Sequence, residues 1–215
     1  GLGDVYKRQE LNQKLDIYEY IVLILVFFLF TVTALLITPF VQLYTKDIVD
    51  TDYNQRLFGF LLVLAEALYL IKLPHLNLAY SANKFKEITV PAYIEAMLNI
   101  MISVALVKWI GLIGVTIGTI VGMTYRMVFH VYYTSKIVPG RAQCIFYRKL
   151  FLFAAGAGGG FVFCYKLLPL QTVTVGSWIV HAIFYCVVMG AILLAISILF
   201  FQNEMKFFWK YVKRK

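Results

Sequence analysis

A chain of 215 residues that is 61% hydrophobic and only 14% charged, with a mean hydropathy of +0.79, is too apolar for a soluble domain of ordinary composition and reads as an integral membrane protein. Its formal net charge of +9 comes from short basic clusters between long apolar runs, not from an aromatic-interleaved basic stripe, which argues against nucleic acid as a partner and for membrane topology. Of the three cysteines, Cys164 and Cys186 lie in apolar runs and Cys144 in a basic loop, so neither a disulfide framework nor a CxxC pair is expected.

The opening GLGDVYKRQ, residues 1–9, starts without methionine and resembles adapter read-through, so it is set aside as non-native. The stretch ELNQKLDIYEY that follows is polar and runs straight into an apolar segment. The chain is therefore expected to be the C-terminal part of a longer protein. About 20 apolar residues cross a bilayer, and six stretches qualify, near 17–43, 57–80, 90–109, 111–134, 149–169 and 178–201. The expected fold is an all-α polytopic bundle.

The connections alternate in basicity: Lys14 before the first span, Lys84 and Lys86 after the second, Lys136, Arg141, Arg148 and Lys149 after the fourth, and the tail KFFWKYVKRK, against a few scattered cations on the other side. The positive-inside rule then places both ends in the cytoplasm. Trp109, Trp178 and Trp209 fall at the expected membrane boundaries, where amphipathic rings concentrate. Pro39 in the first span and Pro74 in the second each remove a backbone donor, which marks either a lumen or a packing kink.

In the fourth span Gly114, Gly118 and Gly122 recur every four residues and share one side of the helix with a drift of about 40° per step. Without a hydrophobic drive between helices in lipid, such a doubled GxxxG supplies close backbone packing; direct substrate contact is the alternative. AAGAGGG at 154–160 carries the same two readings, and its glycines are dense enough to make that helix irregular.

Arg126 follows Gly122 by one turn and points to nearly the same side. With a tight turn near Ile110, Glu95 lies about 21 Å and Arg126 about 23 Å from it, while Lys72 lies about 22 Å into the second span. These three charges define a layer with one cation in excess, able to hold an anion. The alternative is a structural Glu95–Arg126 pair with Lys72 snorkelling to the interface. Glu66, about 14 Å into its span, is nearer the midplane and is a candidate for carrying a coupling ion or for pairing with a helix outside this chain.

Asp50-Thr51-Asp52 matches a metal-binding Asp-x-Asp, but it sits in a short loop with no α/β domain and reads as a solvated acidic turn. His75, His130 and His181 lie on three different helices without ligand spacing and read as polar packing or interface anchoring, so no metal or cofactor is expected. No nucleophile elbow or phosphate loop appears, and the chain offers no sign of an enzyme. The tail MKFFWKYVKRK alternates aromatic and basic residues as a segment lying on an anionic leaflet would.

From the first to the fourth span, TPFVQLYTKD (38–47), LAYSANKFKEITVPAYIEAMLNIMISVALVKWIGLIGVTIGTIVGMTYR (78–126) and VYYTSKIV (131–138) resemble the C-terminal half of a bacterial polysaccharide flippase of the Wzx type, in the MOP superfamily that includes the MATE exporters. The likeness covers roughly half the chain. It implies that residues 10–134 hold about four helices of the second lobe of a two-lobed transporter, that 135–201 add two helices and that 202–215 form a basic tail. It also implies alternating access, in which a lipid-linked oligosaccharide on an undecaprenyl pyrophosphate carrier crosses the cytoplasmic membrane, coupled to a proton or sodium gradient. By that resemblance Arg126 and Lys72 are candidate head-group cations, Glu95 their organiser and Glu66 the coupling acid. The competing functions are a MATE-like exporter, expected to have a more acidic cavity, a membrane enzyme of polysaccharide assembly, expected to need a large external loop or a partnered intramembrane histidine, and a non-catalytic partner bundle.

Overall fold

The computed structural model describes residues 2–46, 48, 55–170 and 173–213. It is all-α. In chain order the helices are α1 (Leu2–Tyr44), α2 (Arg56–Ile71), α3 (Leu73–Ser81), α4 (Phe85–Ile110), α5 (Leu112–Ile137), α6 (Gln143–Leu167), α7 (Val175–Phe200) and α8 (Gln202–Val212). Among the described residues six segments are long and apolar enough to cross a membrane: α1, α2 with α3 counted as one, α4, α5, α6 and α7. The molecule is a multi-pass membrane bundle in which the first part of α1 meets the end of α7 at one end, with Tyr20 against Phe201, called here the terminal side.

Local chemistry sets the breaks. Pro74 stands at the second position of α3, where a missing N–H costs nothing, and Lys72 takes the hinge between α2 and α3 with an α-helical backbone. The second span is therefore kinked but continuous, and the Leu76 amide donates to the Lys72 carbonyl at 3.0 Å. Pro39 does not break α1, which runs through it, although Pro39 does line a cavity of about 520 Å³ beside Thr38, Gln42 and Arg56. Gly111 turns α4 into α5 with φ +58°, a conformation that side chains other than glycine's rarely adopt. At the start of α7, Thr174 and Ser177 form a reciprocal capping box.

The glycine-rich AAGAGGG segment leaves α6 regular, contrary to the expectation of local irregularity. Gly156 and Gly160 lie against Ile196, Ile192 and Met189 of α7, while Gly158 and Gly159 face open space. Half of the glycines are thus explained by close packing on α7, which holds the helix straight. Helix α6 also begins at Gln143, earlier than the sequence suggested, so Lys149 sits inside it.

Helix α1 is central and packs on α2, α6 and α7, whereas α4 docks through α5. The core on the terminal side surrounds Leu23, Phe153 and Phe201, with the Phe153 and Phe201 rings stacked at 5.0 Å. A second core joins Leu35, Ala157, Cys164 and Met189. Large apolar side chains such as Leu29, Met97, Ile100 and Val187 point outward. A lipid-facing surface requires this, since hydrocarbon offers such side chains the same environment that a protein core would.

Candidate functional site

The site grows out of the α4–α5 hairpin. A Cβ built at Gly114 would lie 2.7 Å from the Leu106 backbone, one at Gly118 would lie 2.8 Å from the Asn99 carbonyl, and one at Gly122 would lie 3.0 Å from the Glu95 carbonyl. The stripe is a backbone-to-backbone contact, the packing reading of the sequence. Polar side chains reinforce it: Ser103 donates to Asn99 Oδ1 at 3.0 Å and Thr119 to the same oxygen at 3.4 Å. One turn beyond Gly122, this close approach brings the Arg126 guanidinium onto Glu95 Oε2.

Lys72 completes the layer that depth-counting had placed. Its Nζ lies 3.5 Å from Glu95 Oε1, 3.4 Å from Met123 Sδ and 4.5 Å above the Tyr69 ring. It is fully buried, so it does not snorkel. The Glu95 carboxylate is divided between two cations, which leaves one positive charge uncompensated within the triad. The cations differ in access. Lys72 is sealed in, while the Arg126 side chain keeps 18% of its surface open. A buried charge needs its partner and further hydrogen bonds to be tolerated, and Lys72 has both. Arg126 is the group able to meet an arriving anion.

Glu66 is not brought to this layer. It is exposed on α2, while Val63, Ala67 and Ile71 mark the packed stripe, and one residue's rotation sets Glu66 about 100° off that stripe. The Asp50-Thr51-Asp52 run lies outside the described residues.

A second charge cluster, which the sequence reading did not find, lies on the terminal side. Glu19 of α1 accepts from Arg141 Nη2 at 2.8 Å through Oε1 and from Lys149 Nζ at 3.0 Å through Oε2. Asp16 Oδ1 accepts from the same two cations, at 2.9 Å from Arg141 and 2.6 Å from Lys149. Arg141 reaches further to Asn12 Oδ1 at 3.2 Å. Glu19 and Lys149 are wholly inaccessible and Arg141 nearly so. Two carboxylates and two cations balance to zero, so this cluster fastens α1 to α6 and to the α5–α6 connection without offering charge to a ligand.

Two histidines lie between the two clusters, and His75 Nε2 and His130 Nδ1 are buried without a hydrogen-bond partner among the described residues. His75 Nε2 lies 3.7 Å from Glu19 Oε1, and its Nδ1 is 2.9 Å from Thr134 Oγ1. Thr134 in turn donates to the His130 carbonyl at 2.9 Å, and Arg126 Nε donates to His130 Nε2 at 3.4 Å. Because the Thr134 proton is spent on that carbonyl, His75 Nδ1 must carry its own hydrogen to complete the bond. His75 and His130 are thus buried with one ring nitrogen each in a hydrogen bond, and His181 bonds the Ser177 carbonyl within its own helix. Among the described residues no group of three or more potential metal ligands is assembled.

Comparison with protein-family models, with curated proteins and with solved structures found no match for this chain.

Proposed function

We propose that this chain is part of the second lobe of a polysaccharide-flippase-type transporter, which as a whole, and not through this chain alone, moves a lipid-linked oligosaccharide on a pyrophosphate carrier across the bacterial cytoplasmic membrane, with both ends of the chain cytoplasmic. The observation that carries the reading is the Lys72–Glu95–Arg126 triad: an excess positive charge deep among the spans, with the Arg126 side chain left partly accessible. A charge at that depth is costly and marks function unless it is purely structural. A planar guanidinium suits the doubly negative head group because it can donate two parallel hydrogen bonds to phosphate oxygens. Glu95 holds it in place, and Lys72 offsets the charge of Glu95 so that Arg126 is not neutralised. The resemblance of residues 38–47, 78–126 and 131–138 to Wzx-type flippases supports the same substrate class, and the basic connections on the terminal side support the orientation.

The test is complementation of a strain lacking its polysaccharide flippase by the native gene carrying Arg126→Ala, Arg126→Lys, Glu95→Ala or the Arg126→Ala/Glu95→Ala pair. Losing a charge-assisted bond to the head group is expected to lower export on the order of ten- to hundredfold at normal protein level. Arg126→Lys is expected to recover part of it as a point charge. If the two single alanine variants merely lose protein and the double variant regains it, the triad is structural and the substrate role fails.

A further inference from the structure

Helix α8 follows α7 after a single residue, Phe201, which is fully buried. The Phe201 amide bonds the Ser197 carbonyl at 2.9 Å, and the Met205 amide bonds the Phe201 carbonyl at 3.0 Å, so the chain leaves the membrane span and enters a second helix without a loop. Between α7 and α8 lies a groove of about 600 Å³, with Ile198, Met205 and Trp209 along it and Lys206, Lys210 and Lys213 beside them. The lysines are spaced by four and then three residues and so line one face, with neighbouring side chains roughly 5–6 Å apart at their bases. Among the described residues no carboxylate lines this groove. Glu204 lines a neighbouring pocket with Asp16 and Arg148, and Lys206 borders both. Trp209 is 57% exposed, an amphipathic ring of the kind that settles at head-group level.

We infer that this groove is a binding site for one anionic phospholipid of the surrounding leaflet, its phosphate held by Lys206, Lys210 and Lys213 and an acyl chain laid along Ile198 and Trp209. Three ammonium groups, none of them in an ion pair among the described residues, favour a negative head group, and an apolar surface continuous with a membrane span fits a hydrocarbon tail better than it fits an aqueous solute. The site is independent of the Arg126 centre and of any transport activity. It assigns to the tail a defined stoichiometric ligand, where the sequence pattern alone offered only general adhesion to a charged surface.

Trp209 supplies the readout. In the full chain with Trp109→Phe and Trp178→Phe, reconstituted in phosphatidylcholine nanodiscs containing a tenth of brominated lipid, brominated phosphatidylglycerol is expected to quench Trp209 more strongly than brominated phosphatidylcholine at the same fraction. At about fivefold in affinity per lysine near the surface, Lys206→Gln/Lys210→Gln/Lys213→Gln is expected to weaken that preference on the order of 100-fold. Glutamine preserves helix propensity at these exposed positions, and the comparison of the two lipids in the unsubstituted tail does not depend on the variant. Equal quenching by the two lipids, or a preference that survives the triple change, overturns the site. A lysine-dependent response of Trp209 to inorganic phosphate that equals the response to phosphatidylglycerol would make it a free-phosphate site and would equally overturn the lipid assignment.

Discussion

Glu19→Ala is expected to lower stability by about 3–5 kcal/mol, because it removes the fully buried one of the two carboxylates shared by two buried cations. Lys149 is wholly buried, and without Glu19 it keeps only Asp16, through the 2.6 Å bond to Oδ1 and a 3.2 Å bond to the backbone carbonyl. Arg141 would likewise fall back on Asp16 and Asn12. For a chain of this size the loss corresponds to a midpoint lower by about 6–20 °C, readable by size-exclusion analysis of detergent-solubilised protein after heating. Glu19→Gln, which keeps two polar atoms at the same reach, is expected to cost less. The sharper comparison is Glu19→Ala/Lys149→Met. Removing both charges and filling the space with an apolar side chain is expected to recover more than half of the single-variant loss, since a buried pair and a packed apolar replacement are often close in energy. An additive double variant, or a Glu19→Ala protein that melts with the wild type, would show that the cluster does not hold α1 to α6.

The same cluster marks the limit of what the sequence discloses. Lys72, Glu95 and Arg126 are legible because each lies well inside an apolar run whose end is marked, so depth could be counted from the turn at Gly111 for Glu95 and Arg126 and from the start of the second span for Lys72. Depth is one coordinate of two. For Glu66 the count gave a level but no direction, and the packed stripe of Val63, Ala67 and Ile71 turns it outward. Asp16, Glu19, Arg141 and Lys149 sit where spans begin, and charges there usually face water or head groups. Their partners are 122 to 133 residues apart, a separation that no helical period reports. One local signal was present: Asp16 and Glu19 are three residues apart and share a helix face. It became decisive only once α6 was seen to start at Gln143, which carries Lys149 from the boundary into the bundle. The glycine pattern was more informative, because GxxxG reports a contact between backbones. The structure supplies the partner helix, which the pattern by itself does not name.

Gly118→Val is also expected to destabilise the bundle, and for a reason that separates packing from conformational freedom. Gly118 has an ordinary helical backbone; what it lacks is room. A Cβ there would stand 2.8 Å from the Asn99 carbonyl oxygen and 2.9 Å from the Ser103 amide nitrogen, and backbone atoms of a helix cannot rotate aside as a side chain can. Overpacking of this kind costs typically about 1–3 kcal/mol, and here the strain is relieved only by moving α4 away from α5. That motion also draws Glu95 off Arg126, so the export proposed for this protein should fall together with the melting midpoint. Gly158→Ala is the control. Nothing lies within 4 Å of the added methyl, and alanine in a helix interior is favoured over glycine by about 0.5–1 kcal/mol, so this variant is expected to melt at or slightly above the wild-type temperature. Gly122→Ala falls between the two, because its Cβ would meet the Glu95 carbonyl at 3.0 Å and a shift of a few tenths of an ångström would relieve it. It is expected to fold while disturbing the Arg126–Glu95 contact. A Gly122→Ala protein that accumulates normally but exports poorly would therefore place the loss at the charged layer, whereas normal export from both Gly118→Val and Gly122→Ala would mean that the close α4–α5 contact is not what sets Arg126.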